Sequence, residues 1–289
     1  MMVRVLGDVR DLAGAAELSG QSLDAFTREL ASFPDGIRAV AAVDGAQVLA
    51  TGLDLAREVP RTGHGKLVRV RARALAPALA LVDWAEAESR RAGAHTQQVG
   101  VLAAPGLAAA LIERDYRVIE SYVTMRRGCG PRACPSLPAG FHEQTLAQAG
   151  EETFVALANA AFEGVPGAFP LTGGDFARVR AEPGFAEGLV RVVSAPDGPV
   201  GFLRGALVPG NAGEIDSLGL LPSARGRGLG RWLLRRCEEL LDAAGAPAIT
   251  LLVAASNRAA AALYLRDGYV ETARRDTYEL ELTSTSSGR

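Results

Sequence analysis

The sequence predicts an α/β (α+β) protein of two tandem units, each a mixed central sheet flanked by helices. Three observations lead there. The Gly- and Pro-rich stretch GCGPRACPSLPAG (Gly128–Gly140) reads as a linker and divides the 289 residues into halves of about 127 and 149. Each half repeats one order of periodicities: a helical region, two β-branched runs around an Asp-Gly turn, a strand, a long helix, a strand, a helix and a last strand. A constant offset of 152 residues then superposes the ends of the halves, with LIERDYRV (Leu111–Val118) on LYLRDGYV (Leu263–Val270) and Gly93 on Gly245.

The elements follow in order. IRAVAAVDGAQVLATGL (Ile37–Leu53) and LVRVVSAPDGPVGFLRGAL (Leu189–Leu207) read as hairpins, because Asp-Gly between apolar runs supplies the positive φ of a tight turn. KLVRVRA (Lys66–Ala72) and EIDSLGLL (Glu214–Leu221) are the strands that follow. In RWLLRRCEELLDAAG (Arg231–Gly245), Trp232, Leu233, Leu234, Cys237, Leu240 and Leu241 form an inward stripe. Arg235, Arg236, Glu238, Glu239 and Asp242 are expected to face water, with Arg235–Glu239 and Arg236–Glu239 pairs.

Composition narrows the function. With 48% apolar and 22% charged residues the chain can bury two medium cores, and a net charge of −2 argues against coating nucleic acid. Cys129 and Cys134 form a C-x4-C pair with no second pair or nearby His, so free thiols are expected and no metal site is implied. The N-terminus has no apolar signal region and no run approaches eighteen apolar residues. The expectation is a soluble, cytoplasmic protein with no membrane or nucleic-acid partner, a monomer or homodimer.

The chemistry concentrates in ARGRGLGRWLLRR (Ala224–Arg236), which holds five arginines and three glycines. The dinucleotide pattern G-x-G-x-x-G fails, because Gly226 and Gly228 open it and Arg231 stands at its close. No G-K-[ST] follows, so a Walker loop is excluded as well. What remains is a strand, Pro222, a glycine-rich loop and a helix start, where unpaired N–H groups and the positive dipole end suit a pyrophosphate.

LGLLPSARGRGLGRWLL (Leu218–Leu234) resembles the acetyl-coenzyme-A signature of the GCN5-related N-acetyltransferase (GNAT) superfamily: a strand, a proline, then [QR]-x-x-G-x-[GA], met by Arg225, Gly228 and Gly230. SNRAAAALYLRDGYV (Ser256–Val270) is similar to the superfamily's second cofactor segment. The tandem arrangement is similar to that of the two-domain mycothiol synthases, as is Glu214 six residues before Leu220.

The resemblance implies two GNAT-like domains, each with a mixed, mostly antiparallel sheet, and an N-acetyltransferase that moves an acetyl group from acetyl-CoA to a primary amine of a small molecule by direct attack. Alternatives are a non-catalytic CoA-binding regulator and an acyltransferase acting on a protein amine. It implies Glu214 as base, with Asp216 as the other carboxylate on that strand face, and Tyr264 as the acid that protonates the leaving thiolate. Leu218, Leu220, Arg225, Gly226, Arg227, Gly228, Leu229 and Gly230 would contact the cosubstrate, with a backbone N–H at Leu220 polarising the carbonyl. Asn257 serves as an N-cap, a cofactor contact or both.

The offset sets Gly228 on Ala76, Gly230 on Ala78, Asn257 on Pro105, Tyr264 on Ile112 and, upstream, Glu214 on Thr62. The first half therefore reads as a degenerate domain (1–127), followed by a linker (128–139), a catalytic domain (140–282) and a disordered tail (283–289). TGHGK (Thr62–Lys66) has the look of a phosphate loop but falls between strands, where a turn is expected. AFEGVPGAFPLTGGDF (Ala161–Phe176) is the expected acceptor loop, with Glu163 and Asp175 as carboxylates able to receive a cationic amine.

Overall fold

Both Asp-Gly turns close hairpins, with Gly45 at φ 58° and Gly198 at φ 132°. The first joins β2 (Arg38–Asp44) to β3 (Gln47–Asp54), the second β8 (Phe185–Ala195) to β9 (Gly198–Val208). The computed structural model describes residues 1–32, 37–55, 58–130, 132–165, 170–182, 184–208 and 212–282. The tail at 283–289 lies outside them. Two compact units form: Met1–Tyr122 with the segment from Arg274, and Val123–Ala273.

The first unit contains β1 (Met2–Val5), α1 (Val9–Ser19), α2 (Leu23–Ser32), β2, β3, α3 (Val59–Thr62), β4 (His64–Ala72), α4 (Leu75–Arg91), β5 (Thr96–Ala103) and α5 (Leu107–Glu113). Its sheet runs β1-β2-β3-β4-β5-β12, where β12 (Val270–Glu281) contributes its end from Arg274. Among the described residues of this unit only β4 and β5 are parallel. Apolar residues cover both faces, so β2 is a continuous buried run. Val40 and Ala42 enter one core with Leu81 and Val82 of α4, while Ala41 and Val43 enter another with Ala15 and Ala16 of α1.

The second unit begins with the Val123–Gly128 end of β6 (Arg117–Gly128). There follow β7 (His142–Thr145), α6 (Leu146–Ala149), α7 (Glu151–Ala161), α8 (Gly173–Ala181), β8, β9, β10 (Ala212–Leu220), α9 (Leu229–Ala243), β11 (Ala248–Ala254) and α10 (Arg258–Arg266). Its sheet order is β6-β11-β10-β9-β8-β7. Val190, Val192 and Phe202 face α7, whereas Leu189, Val193 and Leu203 face α9. Among the described residues no helix is long and apolar enough to cross a membrane.

The last strands are exchanged relative to a simple division of the chain. Residues 274–282, expected in the second domain, belong to the first unit, where Tyr278 lies opposite Val99 and packs with Leu107 and Leu111. Residues 123–127, expected in the first domain, belong to the second, where Val123 and Met125 enter the core of α9. An alternating pattern tells a strand which face is apolar; it carries no information about which edge the strand joins.

The internal repeat survives with a shift. Gly93 and Gly245 end α4 and α9 in the same left-handed turn, φ 80° and 82°, at the expected offset. Further on, the left-handed turn holds Asp115 (φ 66°) and Gly268 (φ 85°), so buried Tyr116 corresponds to buried Tyr269, one residue beyond the expected register. Each tyrosine meets the same helix position: Tyr116 donates to Glu86 Oε1 at 2.8 Å, and burial beside the Glu238 carboxylate pushes the Tyr269 phenol up.

That placement corrects the reading of α9. Glu238 is buried, not solvated; it pairs with the buried Arg127 of β6 at 3.3 Å and with Arg235 at 3.4 Å. Arg235 also pairs with Asp267, while the Arg236–Glu239 pair forms as expected. The strand β6 covers a helix face that sequence periodicity assigns to water.

Candidate active site

The site starts from a parting of strands. β10 pairs with β9 along its whole length, but with β11 only at Gly213–Ile249, Glu214–Thr250 and Ile215–Leu251. A bulge at Asp216 shifts the β9 register between Ile215 and Ser217 and bends the strand. Gly213 and Ile215 face α9 before the bulge; Leu218 and Leu220 face it afterwards. Leu221 donates its N–H to the Val200 carbonyl at 2.9 Å, and successive peptides of a strand alternate sides. The N–H groups of Leu218 and Leu220 therefore point away from β9, into the opening. The Leu220 carbonyl lies on that side too and accepts from the Arg225 guanidinium at 3.2 and 3.3 Å.

At the mouth of the opening the chain makes a 3-10 turn at Pro222–Ala224 and then a loop held by Gly226 (φ 74°) and Gly228 (φ 82°). Only glycine takes that conformation without cost. Gly228 is the N-cap of α9 and supplies no side-chain bond, so the first-turn N–H groups and the positive dipole end are presented to a ligand. Buried Leu229, Trp232 and Leu233 fix that end of the helix, and the Arg227 guanidinium sits 5.0 Å from the centre of the Phe141 ring. Gly230 differs from the other two glycines. A Cβ there would meet Leu220 and Leu263 at ordinary contact distances of 3.7 and 3.9 Å. A strand opening of this kind fits an extended thioester arm, and the loop fits its pyrophosphate.

Of the two carboxylates, Glu214 is half-buried between Ala206 of β9 and Thr250 of β11. Asp216, on the bulge, is exposed and ion-paired with Arg204. Beside that pair lies Glu182 at the end of α8, a carboxyl that sequence reasoning missed; burial pushes its pKa up, Arg204 opposes this and Asp216 adds to it. No local signal marks Glu182 or Arg204, because one ends a helix, the other sits in β9, and only the folded chain brings them together. Tyr264 is 9% exposed, with its phenol pushed up to about 12 by burial and then by Cys237, and its ring is 5.9 Å from that of Tyr269. Asn257 caps α10, its Oδ1 accepting from the Ala260 N–H at 3.2 Å.

Comparison with known proteins agrees with this geometry. Residues 168–269 match the model of the acetyltransferase (GNAT) family. A mycothiol acetyltransferase of Clavibacter michiganensis is 31% identical over 242 residues, which cover 83% of this chain and 74% of that protein. The chain belongs to the GNAT acetyltransferase family. Among solved structures, a GCN5-related N-acetyltransferase from Sphaerobacter thermophilus shares the fold (TM-score 0.75, 22% identity, 97% and 95% of the two chains). So does a tandem GNAT protein of clavulanic acid biosynthesis (TM-score 0.73, 14% identity, 97% and 98%). This chain is accordingly a tandem GNAT, an acetyl-CoA-dependent N-acetyltransferase.

Among the described residues the first unit of this tandem acetyltransferase lacks the opening. There β4 and β5 stay paired beyond the matching bulge, through Val70–Val101 to Arg71–Ala103. Two residues separate β4 from α4, against eight between β10 and α9, so the glycine loop has no counterpart. Two sequence equivalences are also corrected, one by strand register and one by the one-residue shift at the left-handed turns of Asp115 and Gly268. Glu214, opposite Thr250, matches Lys66 opposite Gln98 instead of Thr62, and Tyr264 matches buried Leu111 instead of the exposed Ile112. TGHGK is no phosphate loop: Thr62 ends α3, Gly63 turns at φ 73°, and His64 starts β4.

The expected acceptor loop is described except at 166–169. Asp175 is not free to receive an amine, because it forms a capping box with Thr172 and pairs with Arg178 at 2.9 Å. The Thr172 hydroxyl and N–H, ahead of Arg178, hold its carboxyl below the usual range. Glu163 remains exposed at the end of α7.

Proposed function

We propose that the second unit carries the acetyl transfer and that the first unit is a degenerate copy without a cosubstrate site. The observation that supports this is the parting of β10 from β11 after Ile215, with the left-handed glycine loop at its mouth. Loop N–H groups of Gly226 to Gly230, with Arg225, Arg227 and the start of α9 at Leu229, would hold the pyrophosphate. Leu218 and Leu220 would line the thioester arm, and the free amide of Asn257, once its Oδ1 is used by the cap, would donate to it.

The acceptor is read as the primary amine of a small molecule, and the name of the Clavibacter relative, a mycothiol acetyltransferase, makes acetylation in mycothiol chemistry the first to test. At neutral pH such an amine is cationic and has no lone pair to attack with. Glu214, half-buried and at the opening, takes the proton directly or through water. Asp216 is less suited, since Arg204 neutralises it. The neutral amine attacks the thioester carbonyl in a ternary complex, and the N–H of Leu220 stabilises the oxygen as it gains charge. The C–S bond breaks, the thiolate leaves, and the second proton that the attacking nitrogen sheds on becoming an amide passes to solvent or to that thiolate.

Tyr264 faces that sulfur as a hydrogen-bond donor. With a phenol near 12 and an ordinary thiol near 8.5, complete proton transfer costs about 5 kcal/mol. Donation of a hydrogen bond is therefore favoured over full protonation unless burial raises the thiol as well.

Calorimetric titration with acetyl-CoA tests the division of labour: one site per chain is expected, and two would overturn the degenerate reading of the first unit. Thiol release with an amine acceptor tests the chemistry. Glu214→Gln should lower turnover at pH 7 by about a hundredfold or more and leave a rate that climbs with the ionisation of the amine itself. An unchanged pH profile would remove Glu214 as base.

A further inference from the structure

We propose that a basic cavity on the flank of α9 is a binding site for a phosphate monoester. The cavity, about 330 Å³, is lined by Arg132, Ala133, Pro135, Arg231 and Arg235, all within the second unit. It begins beside the glycine loop, with Arg231 in the first turn of α9 directly after Gly230, and runs along the flank of the helix to Arg235, one turn further on.

Two of its three guanidiniums are held in place by one buried residue. Arg132 donates to the Asp267 carbonyl at 2.7 Å, and Arg235 pairs with the Asp267 carboxylate. The next residue is Gly268, where a Cβ would stand 3.3 Å from Arg132 Nη2, so glycine also keeps room for that arginine. Arg231 is exposed and has no partner among the described residues. A surface arginine left unpaired beside two anchored ones is an incomplete anion site.

Charge selects the ligand. The cavity and the ion pairs behind it contain Arg127, Arg132, Arg231 and Arg235 against Glu238 and Asp267, a net charge of +2. A phosphate monoester carries nearly −2 at pH 7, and planar guanidiniums meet its oxygens in pairs. A carboxylate would leave half the charge unmatched.

Two sources present this group: the phosphate monoester that coenzyme A carries on its ribose, or a separate phosphorylated metabolite. The first rests on the proposed acetyl-CoA site; the second does not. The test compares acetyl-CoA, 3′-dephospho-acetyl-CoA and inorganic phosphate by calorimetry on the full chain and on Arg231→Ala and Arg132→Ala.

If the ribose phosphate occupies the cavity, the wild type binds acetyl-CoA about tenfold or more tightly than the dephospho form, and both variants reduce that ratio to about twofold. If a separate metabolite does, inorganic phosphate binds the wild type even at saturating acetyl-CoA and the variants lose it. Should acetyl-CoA fail to bind at all, the proposed function falls, while the phosphate titration still reads the cavity. Wild-type discrimination and wild-type phosphate binding in both variants, or no phosphate binding and no discrimination in the wild type, would overturn the proposal.

Discussion

Gly228→Ala and Gly230→Ala form a matched pair that separates fold from binding. Gly228 has φ 82° and its nearest obstacle to a Cβ is Pro138 Cγ at 3.9 Å, so alanine fits sterically and is strained only through the backbone. A left-handed alanine costs about 1 kcal/mol, which for a unit of this size lowers Tm by about 2–4 °C. In the complex the new methyl would stand against the pyrophosphate, and losing one or two charge-assisted hydrogen bonds costs about 2–3 kcal/mol, a loss of about 30- to 150-fold in affinity.

Gly230 lies inside α9, with contacts of 3.7 and 3.9 Å for a Cβ. Alanine there should leave Tm unchanged or slightly raised and acetyl-CoA affinity within about threefold. Thermal unfolding and calorimetry on the same samples check both variants. Wild-type affinity in Gly228→Ala, or an equal loss in Gly230→Ala, would refute the assignment of the left-handed glycines to the phosphate loop.

Tyr264→Phe should lower turnover by about tenfold with acetyl-CoA affinity unchanged, the effect of losing one hydrogen bond to the leaving sulfur; a wild-type rate in single-turnover kinetics would move the donor elsewhere. Asp175→Ala removes the carboxylate half of a capping box and should destabilise the protein by about 1 kcal/mol at pH 7. Because the folded carboxyl is held below its unfolded value, that stability is present above pH ~4 and is lost as pH falls through the folded value. Chemical denaturation of both proteins at pH 7 and pH 3 should show the difference shrinking. Glu238→Ala leaves the buried Arg127 guanidinium unpaired and should cost about 3–5 kcal/mol, whereas Arg127→Met with Glu238→Leu should recover most of it. Urea unfolding measures this, and an equal loss in the double variant would deny that the charge is the cause.

Features that depend on neighbours along the chain are legible in residue type and spacing. The Asp-Gly hairpins, the left-handed glycines at 226 and 228, the N-cap at Asn257 and the apolar stripe from Trp232 to Leu241 are consequences of residue type and short spacing. The duplicated order of elements was legible for the same reason. Tertiary structure decided everything that requires two distant strands to meet. Which sheet receives each last strand, whether β10 and β11 part while β4 and β5 stay closed, and whether Glu238 faces water or Arg127 are all settled by pairing. Arg204 against Asp216, and Arg132 against Asp267, belong to the same class. A side-chain pattern specifies a face, and the free energy that selects among partners for that face comes from packing and hydrogen bonds spread over the whole sheet.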